Sequence, residues 1–218
     1  MCAIFGFMSP SLKKEQVLPY FEKTKSRGPD DTRLEPAGSG MLGFHRLAIM
    51  GLHPEGMQPF HRGGDMAVCN GELYGFRPVK KALEAKGYVF ASDSDCEIIL
   101  PLWQEYGTEM FAGLDAEFAM IIYDSASDSL VAARDPIGIR PLFYGYLADG
   151  SIIFASEAKN LVGLCTHVFP FPPGHYYKDG KFVRYTDLTT VTRYSSDDLD
   201  TVTKKIREKL ISAVEKRL

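Results

Sequence analysis

Cys2 directly follows the initiator methionine, a position from which one residue could act as both nucleophile and base. Because Cys2 is small, removal of Met1 would leave a thiol and a free α-amine on the same residue. An α-amine titrates at about pH 7.7–8.0, so it can accept a proton near neutral pH. This is the N-terminal variant of nucleophile–base pairing. The alternative is a buried cysteine in an N-terminal strand, since free cysteine is often buried.

Arg46 is the second residue whose type suggests a chemical role. It lies within residues 41–50, an apolar stretch that predicts a buried strand. Arginine is rarely buried without a partner. Arg46 therefore either pairs with an internal carboxylate or faces a cleft and binds an anion.

Two further polar motifs follow, and local structure alone could explain both. Asn70-Gly71 comes after a predicted strand and is a strong hairpin-turn signal. The sequence from Ser94 to Glu97 has the capping-box pattern and predicts a helix towards Tyr106, kinked at Pro101. Asp95 would lie in the first turn of that helix, where the helix dipole favours a carboxylate.

The elements that would position these residues are mainly strands, which are densest between residues 115 and 156. Strands joined by short turns, with helices in separate blocks, indicate antiparallel sheets and an α+β layered fold. The predicted hairpins pair residues 117–123 with 129–134, 141–147 with 151–155, and 175–178 with 181–185.

Three other segments have helical patterns. Residues 12–26 predict an amphipathic helix that is broken or begun at Pro19. Residues 78–86 predict a helix with proline in its first turn and a glycine after its end. Residues 199–218 carry an apolar stripe at helical spacing without a stop signal, as expected of a chain cut within a longer protein.

Composition narrows the class of protein. The 218 residues are 45% hydrophobic and 24% charged, with a formal charge of −3. This balance gives no electrostatic reason to expect a nucleic-acid or membrane partner. The apolar runs are shorter than a membrane span, and no secretory signal is evident. Four scattered cysteines and five histidines show no metal-ligand spacing, so we expect no metal site and a cytoplasmic location.

The order of eight short motifs resembles that of the class II glutamine amidotransferases. The later motifs make the sequence similar to the glutaminase domain of glutamine-hydrolysing asparagine synthetase. The resemblance covers essentially all of the chain. Its motifs are Met1–Gly6, Arg27–Asp30, His45–Ile49, Met57–Pro59, Asn70–Tyr74, Ser94–Glu97, Ala133–Leu142 and Phe154–Lys159.

The resemblance implies an N-terminal-nucleophile hydrolase fold: an α+β, four-layer αββα sandwich of two antiparallel sheets flanked by helices. It implies hydrolysis of L-glutamine to L-glutamate and ammonia by residues 1–190. Residues 191–218 would be a linker and the first helix of a synthetase domain that this sequence lacks. That domain would accept the ammonia and make asparagine from aspartate. ATP and magnesium are expected only there, and no cofactor is expected in the amidotransferase domain.

The resemblance also implies a role for each site residue. Cys2 would be the nucleophile, and Asn70 and Gly71 would form the oxyanion hole, where glycine lets the backbone approach the substrate closely. Arg46 would bind the α-carboxylate of glutamine and Asp95 its α-ammonium. The pocket would further be lined by Leu47, Ala48, Ile49, Met50 and Glu72.

Two rival interpretations stay open. The chain could be the glutaminase domain of an amidophosphoribosyltransferase-type enzyme, which has a variant of the segment around residues 133–142. It could also be a non-catalytic module that binds glutamine without cleaving it. The sequence leaves the oligomeric state undetermined, a homodimer included.

Overall fold

The computed structural model describes residues 1–217, which form two compact units, one from Met1 to Thr186 and one beginning at Asp187. None of the helices in this part of the chain is both long and apolar enough to cross a bilayer. The strands are β1 (Ala3–Met8), β2 (Asp31–Ala37), β3 (Gly40–Arg46), β4 (Phe60–Arg62), β5 (Asp65–Leu73), β6 (Ala116–Asp124), β7 (Ser129–Arg134), β8 (Phe143–Tyr146), β9 (Ile152–Ala155), β10 (Val168–Pro170), β11 (His175–Lys178) and β12 (Lys181–Arg184).

The described residues also form five α-helices, which differ widely in length. Four of them belong to the first unit, and one belongs to the second. They are α1 (Lys14–Phe21), α2 (Phe76–Ala85), α3 (Ile99–Tyr106), α4 (Met110–Gly113) and α5 (Leu199–Glu215). Short 3-10 segments follow α1 at Glu22–Arg27 and precede α3 at Asp95–Ile98.

The strands form two six-stranded sheets, and their pairings are antiparallel. The first sheet has the order β10-β8-β9-β1-β3-β2, and the second has the order β12-β11-β7-β6-β5-β4. Strand β1 is therefore interior to the first sheet and β5 is next to the edge of the second. Only the short β4 covers the outer side of β5.

Three apolar clusters show how the sheets and helices are layered. The cluster that includes Ile4, Phe44 and Ile121 fills the space between the two sheets. Strand side chains alternate between faces, so Phe5 and Phe7 point outward and pack with Phe21 of α1. A third cluster packs α2, α3 and α4 against the outer face of the second sheet. The arrangement confirms the predicted four-layer αββα sandwich.

Strand β5 corrects the predicted hairpin turn at Asn70-Gly71. These residues lie inside β5, paired with Ala119 and Phe118 of β6 along an unbroken register. The chain turns only after Leu73, and Gly75 takes the left-handed conformation (φ +64°) before α2. Pairing along the whole of β6 outweighs the local turn preference.

The predicted capping box from Ser94 to Glu97 does not form. Ser94 has an extended backbone at the N-cap position but makes no side-chain cap. The Glu97 carboxylate instead accepts the backbone N–H groups of Ala91 (2.7 Å) and Ser92 (2.8 Å). It is therefore committed to the preceding loop rather than to the helix start.

Pro19 neither breaks nor begins its helix as predicted, and the predicted kink at Pro101 stays a prediction. Pro19 lies within α1 near its end, and the chain continues as a 3-10 segment. Pro101 lies in the first turn of α3, where the missing N–H has no intrahelical partner to lose. The helix after Ser94 therefore begins as a 3-10 turn and becomes α-helical at Ile99.

The unit that begins at Asp187 contains the predicted C-terminal helix as α5. The Asp198 side chain caps this helix by accepting the Thr201 N–H at 2.9 Å. None of the α5 residues is buried, and its apolar stripe, which includes Ile206 and Leu210, is exposed. The predicted assignment of residues 191–218 to a synthetase domain stays a prediction.

Candidate active site

The first sheet brings Cys2 and Arg46 to one end of the sandwich. Cys2 immediately precedes β1, and Arg46 is the last residue of β3. The two strands are antiparallel, with Ala3 opposite His45, so the start of one lies beside the end of the other. The Leu47 N–H donates to Cys2 Sγ at 3.3 Å, which holds the thiol beside the loop after β3.

A pocket of about 590 Å³, open to solvent, lies at this end of the sandwich. The first sheet contributes Cys2 and Arg46 to its lining. The second sheet contributes Asn70 and Gly71 of β5, and the 3-10 segment after Ser94 contributes Asp95. A thiol, a guanidinium, a carboxamide and a carboxylate from four separate segments therefore share one cavity.

The Cys2 thiol needs a base to become a nucleophile in this pocket. Burial raises its pKa, an effect that the Leu47 backbone contact and the Arg46 guanidinium only partly oppose. The thiol therefore keeps its proton at neutral pH. Met1 also lines the pocket, and its sulfur contacts the Arg140 guanidinium. Removal of Met1 would expose an α-amine on Cys2 within the same cavity.

The Asn70 carboxamide presents an unused hydrogen-bond donor. The side chain is only 3% exposed, yet its Nδ2 atom has no hydrogen-bond partner within residues 1–217. A buried donor without a partner costs about 1–3 kcal/mol of desolvation and is rare in folded proteins. Because Asn70 lines the pocket, a ligand oxygen could accept this hydrogen bond.

The Gly71 N–H is a second donor on the same strand. In β5, the N–H groups of Cys69 and Leu73 point away from β6, since they donate to the side chains of Gln58 and Asp95. Backbone direction alternates along an antiparallel strand, so the Gly71 N–H points to the same side. No side chain in the described part of the chain caps it.

Glycine is required at position 71 for a reason other than the predicted approach to substrate. A Cβ atom there would lie 2.6 Å from the Glu117 carbonyl oxygen and 2.8 Å from Phe118 Cβ. Both atoms belong to β6, so the neighbouring strand excludes any side chain at this position.

Arg46 faces the pocket with its charge unpaired. The residue is 7% exposed, and its guanidinium donates to the backbone carbonyls of Gly51 and His53. None of the ion pairs formed within residues 1–217 includes it, so the internal carboxylate considered from the sequence is not its partner. A buried guanidinium held by neutral carbonyls is suited to a ligand carboxylate.

Asp95 is the buried anion on the other side of the pocket. Its Oδ2 atom accepts the Leu73 N–H at 2.7 Å, which ties it to the end of β5. Burial raises the pKa of its carboxyl, with the Leu73 hydrogen bond acting in the opposite direction. Burial and the nearby Asp95 also raise the pKa of Glu72. A ligand ammonium would relieve this desolvated negative charge.

A family model described as a glutamine amidotransferase domain matches residues 1–176, most of the chain. This chain belongs to that family. The match covers every residue that the pocket draws from the two sheets, Cys2 and Asn70 among them.

Curated relatives of this amidotransferase domain are asparagine synthetases. A probable glutamine-hydrolysing asparagine synthetase from Dictyostelium discoideum is 37% identical over 194 residues, which are 85% of this chain and 35% of the relative. The glutamine-hydrolysing enzyme from Sandersonia aurantiaca is 38% identical, over 85% of this chain and 36% of its own length. A Schizosaccharomyces pombe relative is 36% identical over 94% of this chain and 38% of that protein. The chain thus spans little more than a third of these relatives.

Solved structures support the fold of the amidotransferase domain. Glutamine phosphoribosylpyrophosphate amidotransferase from B. subtilis, in complex with ADP and GMP, superposes with a TM-score of 0.70. The match covers 85% of this chain and 49% of that one, at 21% identity. At this identity the likeness shows the fold alone.

The pocket of the amidotransferase domain collects all the predicted site residues except Ala48. The Ala48 N–H instead donates to Asp30 Oδ2 at 2.7 Å, which joins the loop after β3 to the Arg-Gly-Pro-Asp loop. Ala48 was predicted to line the pocket, but its backbone is used to fasten these two loops together.

Sequence reasoning missed several pocket residues, notably Gln58 and Arg140. Arg140 forms an ion pair with Glu117 at 2.6 Å. Sequence reasoning also missed Arg27. Its Nε donates to the Cys2 carbonyl at 3.1 Å, and its Nη1 pairs with Glu157 at 2.9 Å. All of these residues except Glu117 lie in the eight motifs, so the motifs carried the signal, although only the fold shows what each residue contacts.

Proposed function

We propose that this amidotransferase domain hydrolyses L-glutamine to L-glutamate and ammonia, with Cys2 as nucleophile once Met1 has been removed. One observation carries the proposal. A thiol, two uncapped amide donors, an unpaired buried guanidinium and a buried carboxylate line a single pocket. This set supplies the nucleophile, the oxyanion donors and a partner for each charged group that hydrolysis of a free amino acid's side-chain amide needs.

Glutamine would bind through the two charged groups on its α-carbon. The Arg46 guanidinium can pair with the α-carboxylate and donate to it with the N–H groups that Gly51 and His53 leave free. The Asp95 carboxylate can accept from the α-ammonium, with Leu47, Ile49, Met50 and Glu72 lining the rest of the pocket. Held by both charged groups at its α-carbon, the substrate extends its side-chain carboxamide towards Cys2 Sγ.

In the first half of the reaction, the Cys2 α-amine takes the thiol proton, directly or through one water. The sulfur then attacks the carboxamide carbon, and the oxyanion accepts hydrogen bonds from Asn70 Nδ2 and the Gly71 N–H. The protonated amine gives its proton to the departing nitrogen, and ammonia leaves. A thioester between Cys2 and the glutamyl group remains.

In the second half, the free amine takes a proton from water, and the resulting hydroxide attacks the thioester carbon. The same two donors stabilise the second oxyanion. When the C–S bond breaks, the ammonium returns its proton to the sulfur. The γ-carboxylic acid so formed loses its proton to solvent and leaves as glutamate, and Cys2 is regenerated as a thiol beside a neutral amine.

We further propose that this ammonia serves the synthesis of asparagine from aspartate, because the curated relatives are glutamine-hydrolysing asparagine synthetases. A synthetase domain, with ATP and magnesium, would carry out that step in the part of the relatives that this chain does not span. The partners would then be L-glutamine and the synthetase domain, in the cytoplasm, without a nucleic acid or a membrane. Residues 1–218 by themselves should release ammonia but form no asparagine.

The test is glutamate release from glutamine by the purified chain, after mass spectrometry has established whether Met1 is absent. Cys2→Ala should abolish the activity. Cys165→Ala is the matched control, because Cys165 is also a free thiol but lies outside the pocket lining. Equal glutamate release by Cys2→Ala would remove Cys2 from the mechanism. Glutamine binding without glutamate release by a chain that begins at Cys2 would favour the non-catalytic module.

A further inference from the structure

The outer side of β5 is covered only in part by backbone. Strand β4 pairs Phe60 with Ala67 and Arg62 with Asp65. If this register continued, residue 58 would lie opposite Cys69. Pro59 follows residue 58 and has no N–H to donate, and β4 begins only at Phe60. The ladder beyond Ala67 therefore needs another source of hydrogen bonds.

The Gln58 side chain supplies two hydrogen bonds to the backbone of Cys69. Its Oε1 atom accepts the Cys69 N–H at 2.6 Å, and its Nε2 atom donates to the Cys69 carbonyl at 3.2 Å. Gln58 and Cys69 are both buried. A primary carboxamide carries one acceptor and one donor side by side, as a backbone partner would. Gln58 thus extends the sheet by one rung with its side chain.

The next two outward N–H groups of β5 differ in what they contact. The Leu73 N–H is capped by Asp95, and the Gly71 N–H between Cys69 and Leu73 faces the pocket. The strand around Gly71 is therefore held on this side by one hydrogen-bonded side chain before it and one after it. Its position depends on both of them.

We propose that Gln58 is a positioning residue for the Gly71 N–H as an oxyanion donor. This inference depends on the proposed hydrolysis. An oxyanion donor must lie within about 2.7–3.1 Å of the oxygen that becomes charged. Without the two bonds at Cys69, the free edge of β5 can move away from the pocket. A displacement of about 1 Å at a reacting group can lower a rate about 100-fold.

The main variant is Gln58→Glu, which keeps the side-chain length but replaces the Nε2 donor with an oxygen facing the Cys69 carbonyl. Gln58→Met is a second variant that adds no charge and removes both bonds. Gln104→Glu is the matched control. Gln104 Nε2 donates to Asp65 Oδ2 at 3.0 Å at the other end of β5, so this change also places a second oxygen against an acceptor.

Three quantities separate positioning from general damage: kcat, KM for glutamine, and the rate at which iodoacetamide alkylates Cys2, located by peptide mass spectrometry. Alkylation displaces iodide and forms no oxyanion. We expect both Gln58 variants to lower kcat about 100-fold while KM and the alkylation rate change less than about threefold. Gln104→Glu should leave kcat within about threefold of wild type, even if it lowers the melting temperature as much as the Gln58 variants do.

Two results overturn the positioning role: Gln58 variants with the kcat of Gln104→Glu, or variants in which alkylation falls in parallel with kcat. Thermal unfolding shows whether each variant folds. If Gln58→Glu does not fold, the kinetics of Gln58→Met decide the question. A wild-type chain that begins at Cys2 and is alkylated there, but releases no glutamate, overturns the proposed hydrolysis and the positioning role with it. An active wild type with equally active Gln58 variants overturns only the positioning role.

Discussion

Asn70→Ala should lower activity without lowering stability. The Asn70 Nδ2 donor is buried, lines the pocket and has no partner among the described residues. If it donates to the oxyanion, its removal should lower kcat about 10²–10³-fold, which corresponds to about 2.7–4 kcal/mol of barrier. The KM for glutamine should change little, because Arg46 and Asp95 hold the α-carboxylate and the α-ammonium of the substrate.

The stability of Asn70→Ala follows from the same unpaired donor. Burying an unsatisfied amide costs about 1–3 kcal/mol, and alanine removes that cost together with a few side-chain contacts. We therefore expect the free energy of unfolding to equal or exceed that of wild type. Asn160→Ala is the control, although the Asn160 Oδ1 atom also has no partner among the described residues, so the comparison is between the two Nδ2 donors. Asn160 Nδ2 is equally buried but donates to Tyr20 O (2.8 Å), Thr24 Oγ1 (3.0 Å) and Phe21 O (3.2 Å).

The assay is urea unfolding beside glutaminase kinetics for both variants. Asn160→Ala should lower the free energy of unfolding by about 1–3 kcal/mol and leave kcat unchanged, because it strands buried acceptors far from the pocket. Asn70→Ala should lower kcat and leave the free energy of unfolding at or above that of wild type. The reasoning is refuted if Asn70→Ala loses as much stability as Asn160→Ala, or if it hydrolyses glutamine at the wild-type rate.

Two further predictions concern Asp95 and Gly71. Because burial raises the pKa of the Asp95 carboxyl, it should take up a proton at a higher pH than an ordinary aspartate and then lose its hold on the substrate ammonium. The KM for glutamine should therefore rise on acidification while the pH is still above the usual aspartate range, and a KM that stays flat there would contradict this. Gly71→Ala should lower the free energy of unfolding by about 1–3 kcal/mol in urea, because its Cβ would meet β6. Gly113→Ala, with open space around its Cβ, should not, and equal losses would argue against a clash at Gly71.

Much of the fold could be predicted because its signals are local. Alternating apolar segments with Asp-Gly turns located the hairpins β8–β9 and β11–β12 within a few residues. The order of the motifs predicted the four layers. For the site, the residue types alone suggested a thiol with its own amine and an arginine that either pairs internally or binds an anion, whereas the role of Asp95 towards an ammonium came only from the resemblance. The first two suggestions depend on chemistry that each residue carries wherever it lies.

Tertiary structure decided the features that depend on contacts between distant segments. Asn70-Gly71 became the interior of a strand because β6 pairs with it along its whole length. Glycine is needed at position 71 because of an atom of Glu117. Gln58 bonds to β5 through its side chain because β4 begins only at Phe60, two residues later. Sequence patterns report what a residue prefers among its neighbours in the chain. Which hydrogen-bond donor remains without a partner depends on how the strands pair in both sheets, and that pairing exists only in the folded structure.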